Sequence, residues 1–245
     1  ARALQELGAP ARTAADRVLA ALKTESDPEA VVVMAWLLYN WDMDLTPAQA
    51  SILPVMKQAH PLWRYHAALL MESVAPMADV VSIYLQTIGT AAAEQSQTKP
   101  QERISVLIPF AGETIWPLLL RAADDTNAVR RAAAATIASK FKPFPPSGAD
   151  LLAKLLRDPD PAVRAASAWA CLMSEPEPVR NGPLLLSMLE DTDAEVRASV
   201  ARAVGQFIAL GEAPPGAAEA LGLRLADASP KVREYTAQAL GSLRN

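Results

Sequence analysis

The chain has 245 residues, of which 51% are hydrophobic, 20% charged and only 5% aromatic, with a net charge of −4. That much apolar surface excludes a disordered chain, and the charge balance excludes a phosphate-neutralising surface. Residues 1–123 carry 9 basic and 12 acidic groups and the remainder 14 and 15, so neither half has a basic excess. One cysteine, Cys171, rules out an intramolecular disulfide and leaves the compartment open, with a cytoplasmic setting as the working expectation. The longest apolar run, Ala30 to Tyr39, is too short to span a bilayer.

Taken in chain order, Ala1–Gly8 reads as the tail of an earlier helix, similar to Thr236–Leu243, which predicts a piece of a longer or processed protein. Thr13 to Lys23 is predicted as an outer helix. Asp27-Pro28 opens an inner helix to Asn40, because Asp caps orphan N–H groups and Pro fits the first helical position. Thr46-Pro47 opens a helix through Gln58 that Pro54 should kink. His60-Pro61 opens the next inner helix to about Val74, and Pro76 to Ile88 is outer. Gly89 to Lys99 is the most polar and least periodic stretch and is predicted to be an inserted mobile loop. Pro100–Phe110, Gly112–Ala123 and Asn127–Lys140 follow as helices. Three regular pairs complete the chain: Ala149–Arg157 with Pro161–Met173, Pro183–Glu190 with Ala194–Leu210, and Pro215–Ala226 with Pro230–Leu243. No β-type alternation of useful length appears, so the class is all-α.

The inner helices share a frame. Three residues after each cap stand Ala30, Trp63, Glu102, Val129, Val163, Val196 and Val232, at intervals of 33, 39, 27, 34, 33 and 36. One residue later come Arg64, Arg103, Arg130, Arg164, Arg197 and Arg233, and five later Ala35, Ala68, Leu107, Ala134, Ala168, Ala201 and Ala237. A period in this range means stacked supersecondary units, each touching its neighbours. The expectation is a right-handed α-solenoid of about seven antiparallel helix pairs, one domain over 1–245.

Helix pairs with a proline in the first helix, Asp in the turn and Val-Arg opening the second resemble HEAT repeats, most closely their short prokaryotic, PBS-lyase-type form. Pro117 and Pro183 stand at the family's first-helix proline. Asp124, Asp158, Asp191 and Asp227 each precede Arg130, Arg164, Arg197 and Arg233 by six. The resemblance implies that these Asp and Arg side chains form a structural ladder along an armadillo-like stack. In the N-terminal units Glu25 and Gln58 replace the Asp and Val31 replaces the first Arg, so the ladder departs from pattern there.

No catalytic signature is present. His60 and His66 are the only histidines and are not arranged as a His-Glu-x-x-His pair, and there is no Gly-rich phosphate loop, Gly-x-Ser-x-Gly elbow or cysteine pair. No cofactor or metal is therefore expected, and Cys171 reads as a buried, inert thiol. The partner expected is a protein or peptide, not nucleic acid. The function expected is a non-catalytic interaction scaffold using its concave face. The alternative, which the family resemblance implies, is a non-catalytic or chromophore-lyase-like subunit of a larger enzyme. Helical geometry turns positions +2, +6 and +9 of the frame away from the core. On that basis Trp36, Tyr39, Tyr65 and Leu69 are predicted to form a groove for a partner's apolar segment, with Trp169 further along the same face.

Overall fold

A computed structural model of the chain describes residues 9–95, 98–174 and 178–244, and all its regular structure among them is helical. The helices are α1 (Ala9–Leu22), α2 (Pro28–Asn40), α3 (Gln49–Gln58), α4 (Pro61–Leu70), α5 (Met77–Thr87), α6 (Ala91–Gln95) and α7 (Pro100–Ala111). They continue with α8 (Trp116–Ala122), α9 (Ala128–Ala138), α10 (Gly148–Leu155), α11 (Pro161–Met173), α12 (Pro178–Ser187), α13 (Ala194–Ala209), α14 (Ala217–Arg224) and α15 (Pro230–Gly241). The fold is an all-α solenoid. It divides into two compact units, Ala1–Ile104 and Ser105–Asn245.

Local chemistry sets where the inner helices start. Asp27, Asp160 and Asp193 each turn a carboxylate onto a free N–H of the first turn, with Pro28 and Pro161 at the first helical position. His60 does the same through Nδ1, accepting from the Leu62 N–H at 3.4 Å. The stretch expected to be a mobile loop contains α6, where three consecutive alanines bury Ala92 and Ala93 and the Lys99 ammonium donates to the Ala93 carbonyl. Two further elements differ from expectation: the segment before α8 begins as a 3-10 turn at Gly112–Ile115, and α12 begins at Pro178, five residues before Pro183.

In the second unit α9, α11, α13 and α15 form one row, each packed on the next, with α10, α12 and α14 outside them. The row works because its helices present small side chains to one another: Ala134, Ala135, Ala168, Ala170, Ala201 and Ala203 are all fully buried. Val163, Val196 and Val232 are buried at the start of their helices, and Leu156, Leu185, Leu189, Val204 and Leu221 fill the layer between rows.

A ladder of ion pairs runs along this row. Arg131 Nε donates to Asp158 at 2.7 Å, Arg164 Nε to Asp191 at 2.7 Å and Arg197 Nε to Asp227 at 2.8 Å, and in each case Nη2 takes the other oxygen. The remaining nitrogen, Nη1, donates to the carbonyls of its own repeat's turn, such as Asp191 and Thr192 for Arg197. The Asp oxygens also accept the N–H two residues on, at Asp160, Asp193 and Ser229. Each Asp therefore closes its own turn and receives the fork of the preceding repeat. Arg233 makes the carbonyl half of the same arrangement, to Asp227 and Ala228.

The first rung corrects the expected assignment. Asn127, not Thr126, is the N-cap, its side chain accepting from the Val129 N–H at 2.9 Å. The helix is thereby rotated by one residue, about 100°. Val129 is exposed, Arg131 takes the place expected of Arg130, and Asp125 that expected of Asp124. Arg130 pairs within its own turn with Asp125 at 3.1 Å, and Asp124 meets Lys154 on α10.

The first unit solves the same problem with other groups. Arg64 donates to the Met56 carbonyl at 3.0 Å and to the Gln86 side-chain oxygen at 2.7 Å, so a neutral amide stands where the second unit uses Asp. Arg103 forks onto Glu72, which also accepts from the Tyr84 hydroxyl at 2.5 Å. Burial and the adjacent Glu72 carboxylate push the Tyr84 phenol far above its usual range, so it stays a donor.

Candidate functional site

α2 and α4 lie side by side in the first unit, each followed by its outer helix, α3 and α5. α2 carries an almost unbroken apolar run, so it is apolar on more than its core-facing side. Val31, Val32, Ala35 and Leu38 go inward, while Val33 (57% exposed), Leu37 and Tyr39 stay out. A groove of about 380 Å³ opens on this side, lined by Val32, Val33, Trp36, Leu37 and Asn40 of α2 and by Trp63 and His66 of α4. Trp36 stands edge-on to Tyr39 at 5.2 Å and to His66 at 6.3 Å, with Trp63 at 6.1 Å from the same imidazole.

His66 sits at the centre of these rings with Nδ1 buried and without a hydrogen-bond partner. Burial lowers its pKa, so the imidazole is neutral near pH 7. The groove wall is therefore uncharged, apolar and aromatic, with the Asn40 amide as its polar group besides the imidazole. Such a wall can receive an apolar side chain and desolvate it.

The predicted site residues separate. Trp36 lines the groove and Tyr39 flanks it. Leu69 is half-buried and is not part of its lining. Tyr65 is a correction: it is fully buried, packs on Tyr84 at 5.3 Å and donates its hydroxyl to the Thr98 carbonyl at 2.6 Å. It occupies the second position after the frame residue, as do the buried Val32 and Ala198. An inner helix has neighbours on two flanks as well as an outer helix behind it, so its buried arc is wider than a single stripe. Sequence reasoning missed Trp63, His66, Val33 and Leu37. The signal was available in the spacing of Val33, Trp36, Leu37 and Asn40, a helix face turned one residue from the one chosen.

Trp169, in the second unit, is half-buried on α11 beneath the guanidinium of Arg202. Cys171 faces the layer between helices, and burial pushes its thiol up to about 12. No helix among the described residues is long and apolar enough to cross a membrane.

Comparison with known proteins finds HEAT repeats in the second unit. Residues 115–180 match the family profile described as HEAT repeats, and residues 182–210 match that of the HEAT repeat. The crystal structure of an engineered protein from the Northeast Structural Genomics Consortium aligns at 17% identity and a TM-score of 0.45, over 94% of this chain and 96% of that one. No curated protein matches the chain.

Proposed function

The chain carries HEAT repeats, which generally serve as scaffolds for protein–protein interaction, and from that premise we propose that it is a non-catalytic scaffold whose α2–α4 groove receives an apolar segment of a protein partner. The helix-pair pattern of the first unit supports reading its repeats as further members of the array. The observation that carries the binding reading is the groove itself. Trp36, Trp63 and Leu37 line an open, uncharged cavity in a chain with few aromatics. Aromatic side chains gathered at a desolvating pocket are the usual energetic centre of an interface.

The reading is tested by selecting peptides from a random display library on the intact chain and comparing their affinity for Trp36→Ala and Val33→Glu variants. Selected peptides should share a bulky apolar anchor. Both substitutions should weaken their binding at least tenfold, a loss of about 1.4 kcal/mol or more. The thermal melt of Val33→Glu should be unchanged, since Val33 is already in solvent. Peptides that bind Trp36→Ala and Val33→Glu as well as the parent would sink the groove assignment.

A further inference from the structure

Arg202 of α13 has aromatic walls and no acid. Its guanidinium carbon lies 4.1 Å from the centre of the Trp169 ring on α11 and 5.9 Å from that of Tyr235 on α15. It makes no hydrogen bond or ion pair among the described residues. Arg197, one and a half turns earlier on the same helix, uses Nε and both terminal nitrogens on Asp227 and two turn carbonyls. Two arginines of one helix thus have opposite environments, one saturated and one with its whole donor edge available.

The surroundings form a shaped site. α13 and α15 touch closely at Gly205, where an added Cβ would stand 2.5 Å from that of Ala239. Beside that contact is a cavity of about 200 Å³ with Gly205 and Ala239 as its floor and Arg202, Tyr235, Gln238 and Ser242 around it. Neither acidic residue of these two helices pairs with Arg202. Glu195 pairs with Lys231 at the start of the helices, and Glu234 accepts from the Gln238 amide at 3.1 Å.

A ring beneath the face of a guanidinium fixes its plane and shields one side from water, and leaves the N–H groups pointing outward along the edge. That edge presents parallel donors at the spacing of the two oxygens of a carboxylate. Arg202 is the cation of the cavity lining, and the Glu234 carboxylate is bonded to Gln238 of its wall, so the site suits a single negative charge and disfavours the two of a phosphate monoester. We propose that Arg202, held by Trp169 and Tyr235, anchors a carboxylate, the Asp or Glu side chain of an acidic peptide segment lying across α11, α13 and α15. This site is independent of the α2–α4 groove, and either can fail without the other.

The test uses the intact chain and three probes: a blocked hexapeptide alternating Gly and Glu, its Gly-Gln counterpart, and inorganic phosphate. The Arg202 Nε–H and Trp169 indole N–H resonances report occupancy. The Glu peptide should shift both saturably and the Gln peptide neither. Arg202→Gln should weaken the Glu peptide about tenfold, as expected when a charge-assisted bidentate contact is lost. Arg202→Lys should weaken it comparably, because an ammonium keeps the charge but has no fork and no flat face for the ring. Trp169→Leu should weaken it with the arginine still present. Should Arg202→Gln fail to fold, Arg202→Lys carries the same comparison. The proposal is overturned if the Glu peptide shifts neither resonance, if the Gln peptide binds equally, if phosphate binds the site more tightly, or if Arg202→Lys binds like the parent.

Discussion

Arg197 and Arg202 lie five residues apart on one helix and give the sharpest contrast at the scale of single residues. The Arg197–Asp227 side chains are only 14% and 4% exposed, so deleting the guanidinium strands a nearly buried carboxylate. Arg197→Ala should cost about 2–4 kcal/mol, whereas Arg202→Ala should cost under about 1 kcal/mol, the worth of an exposed cation–π contact. Equal shifts in melting temperature would show that the ladder does not stabilise the stack. The same pairs set the acid limb of stability. Hydrogen bonds from Arg131, Arg164 and Arg197 hold the Asp158, Asp191 and Asp227 carboxyls below the usual Asp range. A carboxyl whose folded pKa lies below its unfolded value stabilises the fold above the unfolded pKa, near 4, and that contribution is lost as pH falls through the folded pKa. Urea midpoints should therefore hold steady from neutrality to about pH 5 and fall below about pH 4. Asp191→Asn should start lower and fall less; a parallel curve would place the acid sensitivity elsewhere. Cys171, with its thiol pushed up to about 12, should react with a disulfide reagent at pH 8 only after denaturant is added.

At the scale of elements, two glycines separate packing from propensity. Gly205 is buried in α13 where a Cβ would collide with Ala239, including its backbone Cα at 2.8 Å. Gly205→Ala should destabilise by about 1–2 kcal/mol although alanine is the better helix former, because neither helix can yield without opening the row. Gly222 of α14 has nothing within 4 Å of the same added atom, so Gly222→Ala should stabilise by up to about 1 kcal/mol. Opposite signs in chemical denaturation check the pair. Elements also show how far a sequence frame can be carried. Asp27, Asp160 and Asp193 cap where the Asp-Pro or Asp-Ala pattern puts them. At Thr126-Asn127 two capping residues are adjacent. The pattern took Thr126 as the cap where Asn127 serves, and one residue is enough to exchange Arg130 for Arg131 in the ladder.

For the whole molecule, nearest-neighbour packing predicts that damage stays local. Arg197→Ala should raise amide exchange in α11, α13 and α15 of the second unit and leave α2 and α4 of the first unchanged; uniform loss of protection would mean that the chain unfolds as one cooperative body. The sequence by itself determined the helical class, the pairing of helices, the repeat period and the alanine seam, because cap chemistry, helical periodicity and small-residue spacing are local properties written every thirty-odd residues. The choice among outward-looking side chains belonged to the tertiary structure. Tyr65 is core and Trp63 is groove, although both stand on one helix two residues apart. Arg197 is saturated and Arg202 is free-edged for the same reason. What covers each flank of an inner helix is supplied by the helices before and after it, and no spacing within a single helix encodes their distance or their side chains.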